Sequence, residues 1–210
     1  MAAVRVPQQA RSQRTRERLL AAAEALLAGR EYGEVSVDDI VDRAHSSVGA
    51  FYKHFPGKRE MLPLLLQRLE AQGSAQLAAL LQDPRHARAA LRPRLAALLG
   101  AIAAQYLLRR RLLRAFVAAR FNAQLALRPA DLDAARARMA TMRDWLLECR
   151  AEIAHPQPEV AVRAGLYLVL QSLQTALLFE ELPADLPASR LVDEAVGMLH
   201  AYLEAVPARG

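Results

Sequence analysis

Cysteine occurs once in the 210 residues, at position 149. A lone thiol cannot close an internal disulfide, and neither a dithiol redox pair nor a cysteine-based structural zinc site can be assembled around it. Sheet-favouring residues are scarce too: 13 valines, 3 isoleucines, 3 threonines and an aromatic content of 5% argue against a sheet-rich fold. Long uncharged runs are missing. The longest, 95–108 and 164–179, are 14 and 16 residues, and the second carries Gln171, Ser172 and Gln174, so both read as buried helices and no membrane partner is expected. The first sixteen residues hold charges and no apolar stretch, unlike a secretory leader, and with the lone cysteine they point to the cytoplasm. Catalytic and metal signatures are equally absent. The five histidines, at 45, 54, 86, 155 and 200, form no i, i+3 or i, i+4 pair, and the chain has no His-Glu-x-x-His, no Gly-x-Ser-x-Gly and no phosphate-binding glycine loop. No catalytic residue, metal or cofactor is expected, and an enzyme is not the expected reading.

What is present is alanine and leucine, 43 and 36 residues, within a hydrophobic share of 53%. These two strong apolar helix formers predict an all-α protein with a well-filled core. Charge is uneven beneath the net +6. Residues 1–20 hold five arginines and one glutamate, residues 45–59 hold Lys53, Lys58 and Arg59 with no acid, and residues 84–130 hold ten arginines and no acid. The segment 131–210 reverses this, with seven arginines against twelve acids. A basic chain favours a polyanionic partner, although net charge describes association rather than fold.

Periodicity organises the N-terminal quarter. Leu19, Leu20, Ala23, Leu26 and Leu27 share one helical face that stops near Gly29. Ser36 followed by Asp39 is a capping-box pattern, and Val37, Ile40, Val41 and Ala44 share the face of a short helix behind it. A second short helix follows, capped by Ser46 or Ser47, with Val48, Phe51, Tyr52 and Phe55 on one side and Pro56-Gly57 as its end. On pattern alone such a pair fits a helix-turn-helix and an ordinary helical hairpin equally. The chemistry tilts the reading towards DNA. Ser47, Gly49 and Ala50 are small enough to let a helix approach base edges, Tyr52, Lys53, His54 and Lys58 can donate to phosphate oxygens, and no carboxylate lies between Asp42 and Glu60.

The stretch 15–62, above all Ser36-Val37-Asp38-Asp39-Ile40 and Ser47-Val48-Gly49-Ala50-Phe51-Tyr52-Lys53-His54-Phe55-Pro56-Gly57-Lys58, resembles the DNA-binding domain of TetR-family transcription regulators. The resemblance covers about a quarter of the chain. It implies that the second short helix enters a major groove, that Ser47, Val48, Gly49 and Ala50 face bases, and that Tyr52, His54 and Lys58 touch the DNA backbone. Ser36, Ser46 and Lys53 complete the expected DNA-contact set. Two positions depart from the family pattern: His45-Ser46 stands where Gly-Val is usual, and Glu31 precedes Tyr32 where a glycine is usual. Histidine tolerates the left-handed conformation, and Gly29 and Gly33 lie close enough to end the first helix.

The expected division is a helix-turn-helix domain over 1–62, with 1–12 as a flexible arm, and a helical effector-binding and dimerisation domain over 63–210. A long helix is predicted from Lys58 to about Leu81, bent at Pro63, followed by helices near 86–107, 110–124, 130–153, 158–182 and 189–206 with prolines between them. In the last two, Val162, Leu166, Val169, Leu173 and Leu177 form one apolar seam, and Val192, Leu199 and Tyr202 lie on another. These seams can pair with a second copy as a four-helix bundle or pack within one chain; the two-fold symmetry of a palindromic operator favours a homodimer. By resemblance the middle helices hold a small-molecule pocket, with Tyr106, Phe116, Phe121, Met142, Trp145, Cys149, Tyr167 and Gln171 as candidate walls, although plain core is the alternative for each aromatic. Arg109, Arg110, Arg111 and Arg114 read mainly as a surface run paired with the acids of 131–153 and 179–204, with an inward arginine selecting an anionic ligand as the other reading. The function expected is a ligand-responsive DNA-binding regulator, more often a repressor than an activator, bound to a double-stranded operator and released by a small-molecule effector. The competing readings are a non-specific DNA-binding protein and a helical small-molecule-binding enzyme.

Overall fold

A computed structural model describes residues 8–121, 128–180, 182–183 and 185–205. Among these residues the fold is all α, as composition predicts. The helices are α1 (Gln8–Gly29), α2 (Val37–Arg43), α3 (Val48–His54), α4 (Leu62–Gln82), α5 (Pro84–Ala87), α6 (Leu91–Leu108), α7 (Arg110–Phe121), α8 (Pro129–Leu147), α9 (Pro158–Phe179) and α10 (Ala188–Glu204). They form two compact units. One comprises residues 8–70 and 111–121, the other 71–110 and 128–205.

The boundary expected at residue 62 is therefore corrected. Leu65 and Leu69 of α4 are buried with Phe51 and Phe55, and α7 returns to the first unit by burying Leu112, Phe116 and Ala119 in the same core. Linear proximity to the basic run hid this, because α7 follows α6 directly in sequence. The expected arm is corrected as well: residues 8–12 already belong to α1, and residues 1–7 lie outside the described residues. The long helix begins at Leu62 rather than Lys58, after a 3₁₀ turn over Arg59–Met61. Pro63 thus sits in the first turn, where its missing N–H costs nothing.

The second unit is built on α6, α8, α9 and α10. Leu91, Leu95, Leu98 and Leu99 of α6 meet Leu146 of α8, Val162, Leu166 and Leu173 of α9, and Leu199 and Leu203 of α10. Burying each such side chain contributes about 1.5–3 kcal/mol before entropy is charged. The α9–α10 contact is close: a Cβ on Gly165 would lie 2.4 Å from Leu199 Cδ1, so any larger residue there would force the buried Leu199 side chain to move. Arg94, 3% exposed, ties the end of α8 to the chain before α6. Its guanidinium donates to the carbonyls of Trp145 (2.6 Å), Ala87 (2.8 Å) and Ala89 (3.1 Å) and to Glu148 Oε2 (2.7 Å), and it stacks 4.8 Å from the Trp145 ring. A buried cation so fully partnered is structural. α9 is long and apolar enough to cross a membrane by length and composition, but its Ala161, Val162, Leu166, Leu170, Leu173, Leu177 and Leu178 are core residues of this unit.

That packing redistributes the residues expected at the dimer seam. Val162, Leu166, Leu173, Leu177 and Leu199 are buried within the chain, and Val169 and Val192 pack against the same core; only Tyr202 is exposed. These seams pack within one chain, the second of the two arrangements that the spacing allows. The pocket set does not gather either. Phe116 lies in the core of the first unit, and Phe121 is exposed. Met142, Trp145 and Cys149 do share one face of α8, buried in the second core, and Tyr106 is half-buried against it, its phenol pushed up to about 12 by desolvation. Tyr167 and Gln171 point outward from α9. Alanine and leucine populate so much of α9 that spacing alone does not show which side is inward.

Candidate nucleic-acid interface

The first unit presents α3 through a set of local devices. Ser36 Oγ accepts from Asp39 N (3.0 Å) while Asp39 Oδ2 accepts from Ser36 N (2.7 Å), the reciprocal cap expected for α2. The Ser36 hydroxyl also donates to Asp39 Oδ2 (2.7 Å). These bonds and Arg30, 3.0 Å away, hold the Asp39 carboxyl well below the usual carboxylate range. Helix α2 then ends on His45, whose φ of 48° is left-handed. The N–H of Ser46 bonds Val41 O (2.9 Å) and that of His45 bonds Asp42 O (3.1 Å), which is a Schellman ending made with histidine in the glycine position. The tolerance expected of His45 is what the turn uses. Gly29 and Gly33 contribute no such conformation, since no glycine among the described residues has a positive φ. α1 instead closes on the bond from Arg30 N to Leu26 O (3.0 Å), and Glu31 begins a 3₁₀ turn over Tyr32–Glu34 with its N–H bonded to Glu34 Oε2 (2.9 Å).

Ser47 caps α3, its hydroxyl accepting from Ala50 N (3.2 Å). Phe51 and Phe55, 0% and 2% exposed, anchor the inner face of the helix. The opposite face then has to point outward: Val48, Gly49, Tyr52 and Lys53 are exposed, with Ser47 exposed at the cap and Ser46, Ala50 and His54 half-buried. A Cβ at Gly49 would meet nothing within 4 Å, so this glycine serves no internal packing. Small residues, one tyrosine and one lysine on an acid-free helix form a surface that can enter a groove and bind its phosphate edges.

Lys58 departs from its expected role. Its Nζ donates to the carbonyls of Tyr32 (2.6 Å) and Val35 (2.5 Å) and lies 4.3 Å from the centroid of the Tyr32 ring, and burial pushes its pKa down. It braces the unit from inside and does not reach outward for phosphate. The arginine run divides in a way spacing could not show. Arg111 and Arg114 of α7 bind Glu31, at 3.3 and 2.5 Å, and hold its carboxyl below the ordinary range, while Arg110 pairs with Glu180. Glu31, the departure from the family pattern, is thus the anchor for α7. Its carboxylate and these arginines lie too far apart in the chain for any local signal.

A sequence profile described as "Bacterial regulatory proteins, tetR family" matches residues 19–64, the span from the core of α1 to the start of α4. The helix-turn-helix segment of this chain is thus similar to the DNA-binding segment of that family. The HTH-type transcriptional regulator EthR of Mycobacterium tuberculosis is 39% identical over 66 residues, which are 31% of this chain and 31% of that protein. The match therefore spans about a third of the length of this curated relative. Solved structures extend the likeness of fold over most of the chain. A transcriptional regulator from Rhodococcus sp. Rha1 is 28% identical, with a TM-score of 0.59, over 91% of this chain and 98% of that one. A TetR-family regulator from Mesorhizobium loti, at 18% identity and a TM-score of 0.63, covers 91% and 97% and speaks for the fold alone. The TetR-family fold, an N-terminal helix-turn-helix followed by a helical region, is the architecture described here.

Proposed function

We propose that this protein is a sequence-specific, ligand-responsive transcription regulator of the TetR family, a cytoplasmic repressor that binds a palindromic operator as a homodimer and leaves it when a small molecule binds. The observation that carries the reading is α3, whose phenylalanines anchor it while Val48, Gly49, Tyr52 and Lys53 stay exposed. Dimerisation is assigned to the outer side of α9 and α10. There Tyr167, Leu168 and Met198 are 57%, 64% and 71% exposed, beside Gln171, Ser172 and Tyr202. Apolar area of this kind on a helix pair matches the core of an isologous interface. The effector site is assigned to the surroundings of Trp145, with Met142, Cys149 and Tyr106. The indole N–H of Trp145 is buried with no acceptor among the described residues, which leaves a donor for a ligand to satisfy.

Selection of bound duplexes from a random-sequence pool tests this function. A two-fold symmetric motif should be enriched, and it should outcompete random DNA by about 10³-fold or more. Binding without an enriched motif would instead indicate a non-specific DNA-binding protein.

A further inference from the structure

Helix α1 outruns its core. Its buried positions begin at Leu19, and no residue from 9 to 18 is buried. Stepping back one turn from Leu20, or seven residues from Leu19, reaches Arg16 and Ser12. The apolar stripe therefore ends in the sequence itself, and the helix continues for about 15 Å as a polar rod. That rod is basic. Arg11, Arg14 and Arg18 fall at i, i+3 and i+7, within one narrow face. Glu17, its one carboxylate, is already bound by Arg68 of α4. Cations spaced three and four apart repel one another and weaken an isolated helix. The arrangement becomes favourable when a polyanion lies along it.

We propose that this face of α1 is a second DNA contact, in which Arg11, Arg14 and Arg18 bind backbone phosphates outside the segment read by α3. The inference rests on the DNA-binding reading above and extends it, since none of these arginines belongs to the helix-turn-helix. α1 packs on both α2 and α3, so it is carried by the same compact unit as the reading helix. Contacts of this type add affinity and salt dependence and carry no base information.

Fluorescence anisotropy with a labelled duplex of random sequence, titrated at several NaCl concentrations, tests it. In the triple variant Arg11→Gln, Arg14→Gln, Arg18→Gln the slope of log K against log salt should become shallower by about two to three units. The melting temperature should be unchanged, because no buried contact is removed. The control Arg136→Gln, Arg150→Gln, Arg190→Gln neutralises as many exposed cations in the second unit and should leave the slope as it is. An unchanged slope in the α1 variant overturns the inference while the DNA-binding reading stands, and so does an equal loss in the control. Wild-type protein that binds no duplex at all overturns that reading together with the inference.

Discussion

Lys53 and Lys58 lie on either side of the Pro56-Gly57 turn and carry the same charge, yet their surroundings divide their work. Lys53 is exposed on the outer face of α3, whereas Lys58 spends its ammonium on the Tyr32 and Val35 carbonyls. Lys58→Met should leave those two acceptors without their charged donor and destabilise the protein by about 1–3 kcal/mol, seen as a lower melting temperature. The salt dependence of DNA binding by the folded variant should not change. Lys53→Ala should do the opposite, leaving the melting temperature in place and reducing the salt slope by about one unit. A single sequence shows one lysine in the last turn of a short helix and another just beyond it. It does not show that one faces a carbonyl more than twenty residues earlier, which is why the phosphate role was expected of both. His45 was more legible, since the need for a left-handed residue arises within the turn itself.

At the scale of elements, α2 and α3 were readable because their signals are local: a hydroxyl, a carboxylate three residues on, and an apolar face of two turns. The allegiance of α7 was not, since it depends on Phe116 and Leu112 entering a distant core and on Glu31 receiving Arg111 and Arg114. That docking has a pH signature. The hydrogen bond and charge of Arg114, with Arg111 behind it, depress the Glu31 pKa below its ordinary 4.5. A carboxylate whose folded pKa is lowered stabilises the fold above its unfolded value and loses that contribution as pH falls through the folded one. Thermal melts from neutral pH down to about pH 3 should show wild type losing stability below pH 4.5. Glu31→Gln should be less stable at neutral pH and flatter across the acid range. Superimposable pH profiles would mean that Glu31 does not hold α7.

At the scale of the whole molecule, the proposed two-fold operator calls for two reading heads. The residues first expected to join two copies are mostly internal, so Leu173→Glu or Leu199→Glu places an unpaired charge in the core and should unfold the second unit, at a cost of several kcal/mol. Leu168→Glu and Met198→Glu, on the exposed side, should keep the helical content and melting of the protomer while light scattering reports a monomer; a persistent dimer would place the interface elsewhere. The seam was legible as periodicity, but its partner was not, because one apolar stripe satisfies an intrachain and an interchain contact equally. The central claim, that α3 turns Val48 and Gly49 to the bases, is tested most directly by Gly49→Leu. The added side chain has open space in the free protein, so the fold should be intact. Titration against the selected operator and against random DNA should then show operator affinity falling about 10- to 100-fold with random-DNA affinity nearly unchanged. Equal losses on both DNAs would contradict this orientation of the reading helix.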